Sequence, residues 1–456
     1  MNRFKTVAVI TVTLILLSCP GRVSLAMAAS STCLTGQPIA GGSPAAFTLT
    51  LSRAKQIALE NSPTLAAARE NLVQAMETIR QARAGYLPTV ALTSSWDYDE
   101  KTDLSVSSKE EAYTNTLSAT QILFQGFYRK YNTLSAQYGK KMSLESLADA
   151  KRTLLWSVSQ SFLTLQLAAE NIRIAQSDMA FNRDQLKEAK AKERLGTGSY
   201  SDVLNYKTKV NAAKAALIEA RQSYKEYGYG LAALMGYADA VLPENMVIQA
   251  LSATEQAAEP EKMDSDMDIE AVLKTRPDLA ADDLAVRDAE ARINRARSGY
   301  YPTVSLTAGY GVSGADHWDG LKDSENTGSS LGVSISLELF SGGTTRSAVH
   351  SVMSEKCELE QNLKAARITA ISEIRTALET VASARETLSL QVQTTRLTGE
   401  TRDLVKKEYD AGQASLVRMN EAQNDLVAAE GDLADARVSL LLALAELDYY
   451  TGANTH

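Results

Sequence analysis

The chain has 456 residues, 45% of them hydrophobic and 22% charged, with a formal net charge of −8. That length supports several packed units, and the acidic balance speaks against nucleic acid as a partner. Three cysteines and three histidines, with no metal-ligand spacing among them, give no basis for a disulfide framework, a metal site or a cofactor.

Residues 1–28 read as a secretory signal. Arg3 and Lys5 precede an apolar run from Val7 to Leu17, and Ala26-Met27-Ala28 is a cleavage site. The run is too short to span a bilayer. Leu16-Leu17-Ser18-Cys19 offers a rival, a lipoprotein box that would acylate Cys19. Bulky Leu17 and the following Pro20 favour plain cleavage. Either route takes the mature chain out of the cytoplasm. Removing residues 1–28 deletes Arg3, Lys5 and Arg22 and no acid, so the charge moves from −8 to −11. Residues 29–49 are rich in Ser, Gly, Pro and Ala and read as an extended or mobile leader.

A first unit spans 50–250. Leu51 to Arg83 reads as helix, interrupted at Pro63. Gly85-Tyr86-Leu87-Pro88 stops it, because proline forbids a continuing helix and drives its predecessor to extended geometry. A strand follows at about 87–99. Val90, Leu92, Trp96 and Tyr98 share one face; Thr89, Ala91, Thr93, Ser95 and Asp97 share the other. A polar loop from Asp99 to Glu111 leads to a noisier strand at about 112–124, which leaves through Leu123-Phe124-Gln125-Gly126. A helical hairpin occupies about 127–235 and turns at Gly196-Thr197-Gly198-Ser199. Leu165, Ala168, Ile172, Ala175 and Met179, continued by Leu186 and Ala189, make a coiled-coil seam. Its first helix would reach on the order of 100 Å. Phe162 and Trp156 read as core, and Tyr224, Tyr227 and Tyr229, near a helix end, as packing at the equator of the molecule rather than as a ligand site. Residues 251–268 are an acidic connector.

The unit then recurs over 269–456. Pro277 and Pro302 lie 214 residues after Pro63 and Pro88, and Phe340 and Gly412 lie 216 after Phe124 and Gly196. A period this long marks a duplicated domain. Gly85, Pro88, Gly299 and Pro302 are therefore equivalent helix–strand junctions. Strands are expected at about 301–313 and 329–340, a polar loop at Gly314 to Gly328, and a second hairpin at about 344–449.

Four strands with one apolar face and one face of small polar residues suit a lipid-facing barrel. Four cannot close one, and open edges are not tolerated in lipid. Strands must then be pooled between subunits. The expected fold is mainly α with a β-barrel. Each chain gives long antiparallel coiled-coil helices and four transmembrane strands. Trp96, Tyr98 and Tyr310 suit an aromatic girdle at the interface.

These features together resemble the TolC-type outer-membrane efflux protein family. The carrying motifs are Asn61-Ser62-Pro63-Thr64-Leu65, Arg276-Pro277-Asp278-Leu279, the two Gly-Tyr-x-Pro-Thr-Val junctions, both Leu-Phe-x-Gly exits, and Leu204 and Val417 beyond the tip glycines. The resemblance runs from about residue 48 onward. It implies a homotrimer in the outer membrane of a Gram-negative bacterium, in contact with its lipid and extending into the periplasm as a trimeric α/β barrel. It also implies an exit duct fed by a periplasmic adaptor (membrane fusion protein) and an inner-membrane efflux pump, with no enzymatic role. An ATP-driven polypeptide (type I) secretion system would use the same duct, and a periplasmic scaffold without a pore is a third reading.

The family's hairpin tips meet the adaptor. This implies contacts at Leu195, Gly196, Thr197, Ala411, Gly412 and Gln413, which otherwise merely turn the chain. The family also carries two gate aspartates, three residues apart, just past the second tip. Six and nine residues beyond Gly412 stand Arg418 and Glu421, and the first-repeat counterpart of Arg418 is Asp202. An arginine at the first position departs from the family pattern. It suggests an Arg/Glu pair, formed within or between chains, that holds the tips closed.

Overall fold

The computed structural model describes residues 47–103, 106–243, 245–251, 268–315 and 327–452. The signal sequence with Cys19, the leader up to residue 46, connector residues 252–267 and loop residues 316–326 lie outside the described residues.

The elements run in chain order as β1 (Phe47–Leu49), α1 (Leu51–Asn61), α2 (Pro63–Ala84), β2 (Thr89–Asp103), β3 (Val106–Gln125), α3 (Tyr128–Arg194), α4 (Tyr200–Leu234) and β4 (Met246–Ile248). They continue as α5 (Ile269–Thr275), α6 (Pro277–Arg297), β5 (Thr303–Ala315), β6 (Thr327–Ser336), α7 (Thr344–Asp410) and α8 (Leu416–Thr451). Pro63 and Pro277 open α2 and α6 at the first helical turn, where a missing N–H costs nothing. At each junction the chain tightens before the proline: Leu87 N–H bonds Ala84 O at 2.9 Å, and Tyr301 N–H bonds Ser298 O at 3.0 Å. The strand then starts one residue past the proline.

Several expectations need correction. The leader's last three residues are β1, which pairs in parallel with β4 and buries Leu49. The polar stretch 99–111 is mostly strand: pairing continues to Asp103 opposite Val106. Hairpin hydrogen bonds carry it there without an apolar face. The fourth strand ends at Ser336 rather than 340, because its last partner is Thr303 on β5.

The four long strands form one antiparallel sheet in the order β2-β3-β5-β6. Thr89 stands opposite Thr120, and Thr303 opposite Ser336. These are the same pair carried through the duplication, so the two β-hairpins match residue for residue. Directly opposed residues share a face. Val90, Ala119, Ala308 and Leu331 form one row on one side; Thr89, Thr120, Thr307 and Gly332 form one on the other. The noise in β3 is a bulge at Leu123: Ile122 opposes Ser305 and Phe124 opposes Val304. One extra residue reverses the alternation there. Within the chain the apolar face stays exposed, with Leu92, Val333 and Ile335 all open.

The helices pack as two antiparallel hairpins, α3/α4 and α7/α8, with α6 wedged between α3 and α7 and α2 lying along α3. α1, β1, the start of α2, the middle of α3 and the end of α4 share one core of Leu49, Ala58, Leu65, Val158, Phe162 and Met235. Tyr224 packs against it, while Tyr227 and Tyr229 are exposed. Trp156 is half-buried and stacks on Tyr449 with ring centroids 6.1 Å apart. The α3 seam buries Leu165, Ala168 and Ala189, but also Asn182 and Gln185. Asn182 is satisfied by donating to Asp178 O four residues back.

An ion-pair network ties the repeats together near this core. Arg152 is 4% exposed. It reaches Asp149 at 2.6 Å and Asp278 at 3.4 Å, donates to Tyr449 O at 3.0 Å and lies over the Tyr449 ring. Arg276 bridges Asp278 at 2.6 Å and Glu373 at 3.1 Å. The Arg276-Pro277-Asp278 motif is thus the clasp that holds α6 to α3 and α7.

The exit from β3 is closely packed. Gly126 has φ +53°, and a Cβ there would lie 2.6 Å from Ser298 O and 2.8 Å from Tyr301 Cβ. Gly126→Ala is expected to cost about 1–3 kcal/mol through backbone strain plus the clash. A fall in the temperature at which the purified protein unfolds would register it; an unchanged temperature would contradict the packing.

Candidate functional site: the paired helix tips

The site is built from the far ends of the two helical hairpins. At the first tip, the N–H groups of Thr197 and Gly198 both bond Lys192 O at 3.0 Å, and Ser199 caps α4. At the second, Gln413 and Ala414 bond Glu408 O at 2.8 and 3.2 Å, and Ser415 caps α8 by accepting from Arg418 N–H. Gly196 and Gly412 both have φ +74°, the left-handed conformation that closes a helix C-terminus. The two tips are one motif used twice.

Leu195, Gly196, Thr197, Ala411, Gly412 and Gln413 are all exposed. Leu195 is 79% exposed, and Val417, Tyr200 and Leu204, all close to the tips in sequence, are exposed apolar residues too. Of these side chains, that of Thr197 donates to Lys192 O at 3.2 Å, within its own turn.

Just behind the tips, polar contacts sew the hairpins together. Tyr206 on α4 is 1% exposed and donates to Gln185 Oε1 at 3.4 Å. It also hydrogen-bonds Tyr409 of α7. Burial, then the neighbouring Tyr409, pushes the Tyr206 hydroxyl well above the usual tyrosine range. Burial and then the Asp202 carboxylate push Tyr409 up as well. The Lys192 ammonium sits 5.0 Å from the Tyr409 ring centroid. Asn420 donates to Asn205 at 3.1 Å, and Gln423 donates to Asp178 at 2.9 Å. The Asn pair is exposed, whereas Tyr206, Gln185 and Gln423 are buried, which makes their bonds costly to break singly.

The structure therefore brings Asp202 beside Tyr206 and Tyr409, and leaves Arg418 and Glu421 apart from them. The latter two lie exposed, one turn apart on α8. Neither forms an ion pair within the chain among the described residues. Sequence reading missed Tyr206 and Tyr409. Val203, Tyr206, Val210, Ala213 and Leu217, buried at spacings of three and four, carried the signal for the first. Tyr409 had none, since Glu193 fills its first-repeat position.

Among the described residues, no three His, Cys, Asp or Glu side chains converge to hold a metal, and no helix is long and apolar enough to cross a membrane. The chain thus carries an exposed apolar sheet on two long helical hairpins with exposed tips. The chain belongs to the outer membrane efflux protein family, whose profile matches residues 54–237 and 269–453. That family comprises channels rather than enzymes, and it places this chain in the outer membrane with its helices reaching into the periplasm. The outer membrane efflux protein BepC of Brucella suis is 23% identical over 449 residues, covering 96% of this chain and 91% of the relative. The alkaline protease secretion protein AprF of Pseudomonas aeruginosa is 26% identical over 433 residues, covering 89% and 85%. The Campylobacter jejuni CmeC outer membrane channel shares the fold with a TM-score of 0.76 at 18% identity, over 88% of this chain and 85% of that one.

Proposed function

We propose that three copies of this chain form a passive exit duct for small molecules, the outer-membrane stage of a tripartite efflux system. The observation that carries it is the sheet. Its apolar face is exposed in the single chain and, among the described residues, β2 and β6 each pair with one strand only, which lipid outside and neighbouring strands at the edges would satisfy. Three copies would pool twelve strands, with the polar faces lining a bore. The long helices would continue that bore through the periplasm. Their exposed tips, Leu195 to Thr197 and Ala411 to Gln413, would meet the periplasmic adaptor that links the duct to an inner-membrane pump.

Arg418 and Glu421 would ring the narrow end and pair between copies, since they do not pair within one. Arg418→Asp sets like charges side by side, and a severalfold rise in single-channel conductance in planar bilayers is expected. Glu421→Arg should do the same with the opposite ion preference. Wild-type conductance and selectivity in both variants would remove these residues from the gate. Export of polypeptides is the second reading, favoured by the likeness to a protease secretion protein. A deletion strain that becomes sensitive to toxic compounds yet still secretes its proteins supports efflux; the reverse pattern supports secretion.

A further inference from the structure

We infer that the four helix ends next to the sheet carry a cationic collar that binds anionic phospholipid headgroups at the periplasmic face of the outer membrane. The inference rests on the lipid-embedded duct proposed above, and it names the residues and the class of lipid.

The ends of α2, α3, α6 and α7 lie at one level, just past the sheet. Arg129 at the start of α3 donates to Gly85 O at the end of α2 at 3.2 Å. Arg295 near the end of α6 donates to Asn132 of α3 at 3.0 Å. A Cβ on Gly299, after α6, would lie 3.0 Å from the Thr345 side chain of α7. At this level stand Arg83 in the last turn of α2, Lys130 in the first turn of α3, Arg297 in the last turn of α6 and Arg346 in the first turn of α7, all exposed. These are two positions, each used twice. Arg297 lies 214 residues after Arg83, and Arg346 lies 216 after Lys130, the two offsets of the duplication. The positive charge is kept at both positions, although one Lys has become Arg.

The chain does not neutralise this charge itself. Among the described residues, none of the four forms an ion pair. Lys130 Nζ lies 5.6 Å from the centroid of the Tyr131 ring, which carries no net charge. The helix dipole favours Arg83 and Arg297 at helix C-termini, but it opposes Lys130 and Arg346 at N-termini. Carboxylates are also kept away. Residues 78–96, 112–144 and 291–315 hold none, and residues 327–354 hold Glu338 alone, in a chain whose net charge is −8. A local excess of cations in an acidic protein calls for an anion from outside.

The cations share a side with the bulk of the molecule that a bore excludes. Lys130 and Val158 are four heptads apart on α3, so they lie on one stripe of that helix. Val158 is fully buried in the core made with α1 and β1. Arg83 is two heptads after Arg69 on α2, and Arg69 donates to Leu59 O of α1 at 3.3 Å. Asn132, Gly139 and Ser146, also at heptad spacing, line a groove on the opposite side of α3, between α2 and α6. A conducting bore has no room for α1 and β1, so their side is the outside of the duct. Val158 is about 40 Å along α3 from Lys130, which leaves the collar clear of that core. The duplication gives Arg297 and Arg346 the matching direction.

Lipid is the anion source that the neighbouring residues select. The apolar face of the sheet begins at Val90 and Val304, two residues past the junction prolines. Tyr86, Phe127, Tyr300 and Tyr301, all exposed, fall between that face and the cations along the chain. Apolar band, aromatic rings and then cations is the order found at a membrane–water boundary. Headgroup phosphates stand at the depth of the cations, and an anionic headgroup adds a net charge that a zwitterionic one lacks.

The test uses the full-length protein in nanodiscs that hold phosphatidylglycerol in an excess of phosphatidylethanolamine. Native mass spectrometry counts the lipids retained on the released protein. Wild type is expected to keep phosphatidylglycerol severalfold above its share of the mixture, and to lose that preference as salt is raised. Arg83→Gln, Lys130→Gln, Arg297→Gln and Arg346→Gln together should abolish the preference. Lys187→Gln, Lys190→Gln, Lys207→Gln and Lys214→Gln together remove the same charge from exposed positions toward the tips and should leave it intact. The half-collar variants, Arg83→Gln with Arg297→Gln and Lys130→Gln with Arg346→Gln, should each lose part of it, which keeps the collar testable if the fourfold variant fails to fold. No preference in wild type, or equal loss in the collar and control variants, overturns the collar. The same spectra report the oligomer. A trimer without lipid preference overturns the collar and leaves the duct standing; a monomer overturns both.

Discussion

Val333→Asp is expected to abolish the assembled protein in the outer membrane, while Ser334→Asp, one residue along, leaves it nearly intact. Val333 is 65% exposed on the apolar face and stands opposite Leu306. If that face meets lipid, a carboxylate there costs up to about 2 kcal/mol at mid-bilayer. Three copies multiply the penalty, and each also loses the burial of a valine. Ser334 points to the polar side, opposite Ser305, where water accepts a charge. Leu306→Asp and Thr307→Asp form the same contrast on the neighbouring strand. The readout is the amount of heat-resistant oligomer in purified outer membranes. Equal damage from both members of either pair would sink the lipid-facing assignment.

Arg152→Ala is the second large effect, expected at about 3 kcal/mol of stability. The change removes the cation from a nearly closed site and leaves Asp149 and the Tyr449 carbonyl without their donor. It also strips one of two counter-charges from Asp278. Burial alone would raise the Asp278 carboxyl. The Arg276 hydrogen bond and charge, with Arg152 behind them, outweigh burial and hold it below the usual carboxylate range. A depressed folded-state pKa contributes stability that is fully present above the ordinary carboxylate pKa, near 4, and is lost as pH falls toward the folded value. Thermal unfolding followed from pH 7 down to 3 should show the wild type losing stability in that acid window. The variant should start lower and lose less. Parallel curves would mean that Arg152 does not couple to Asp278.

The duplication and both junctions were legible because proline and glycine leave the backbone few choices. The strand faces were legible because alternation has a period of two. Residues 99–111 were not. Asp99, Glu100 and Lys101 oppose Glu110, Lys109 and Ser108, so neither side is apolar and hydrogen bonding alone extends the hairpin. Ser336 hid the end of β6, because Leu337 and Leu339 continue the apolar alternation past the last available partner. At the site, the exposed tips followed from their glycines, but the seam behind them is partly polar. A hydrophobic period cannot find Asn182 or Gln185, which are buried because hydrogen bonds satisfy them. Arg418 and Glu421 were reached by counting alone, and their surroundings in one chain neither join nor oppose them.

The side of the sheet opposite the apolar face is lined mostly by short, uncharged residues, Thr89, Thr120, Thr307, Gly309 and Gly332 among them, and also carries Asp97. In the duct proposed above such a lining would make a wide pipe with little electrical resistance of its own. Resistances in series add, so if the helix tips form the narrow end proposed above, they would set nearly the whole current. Thr307→Asp would then be almost inaudible in a conductance trace, while one altered side chain at the orifice would change the trace throughout.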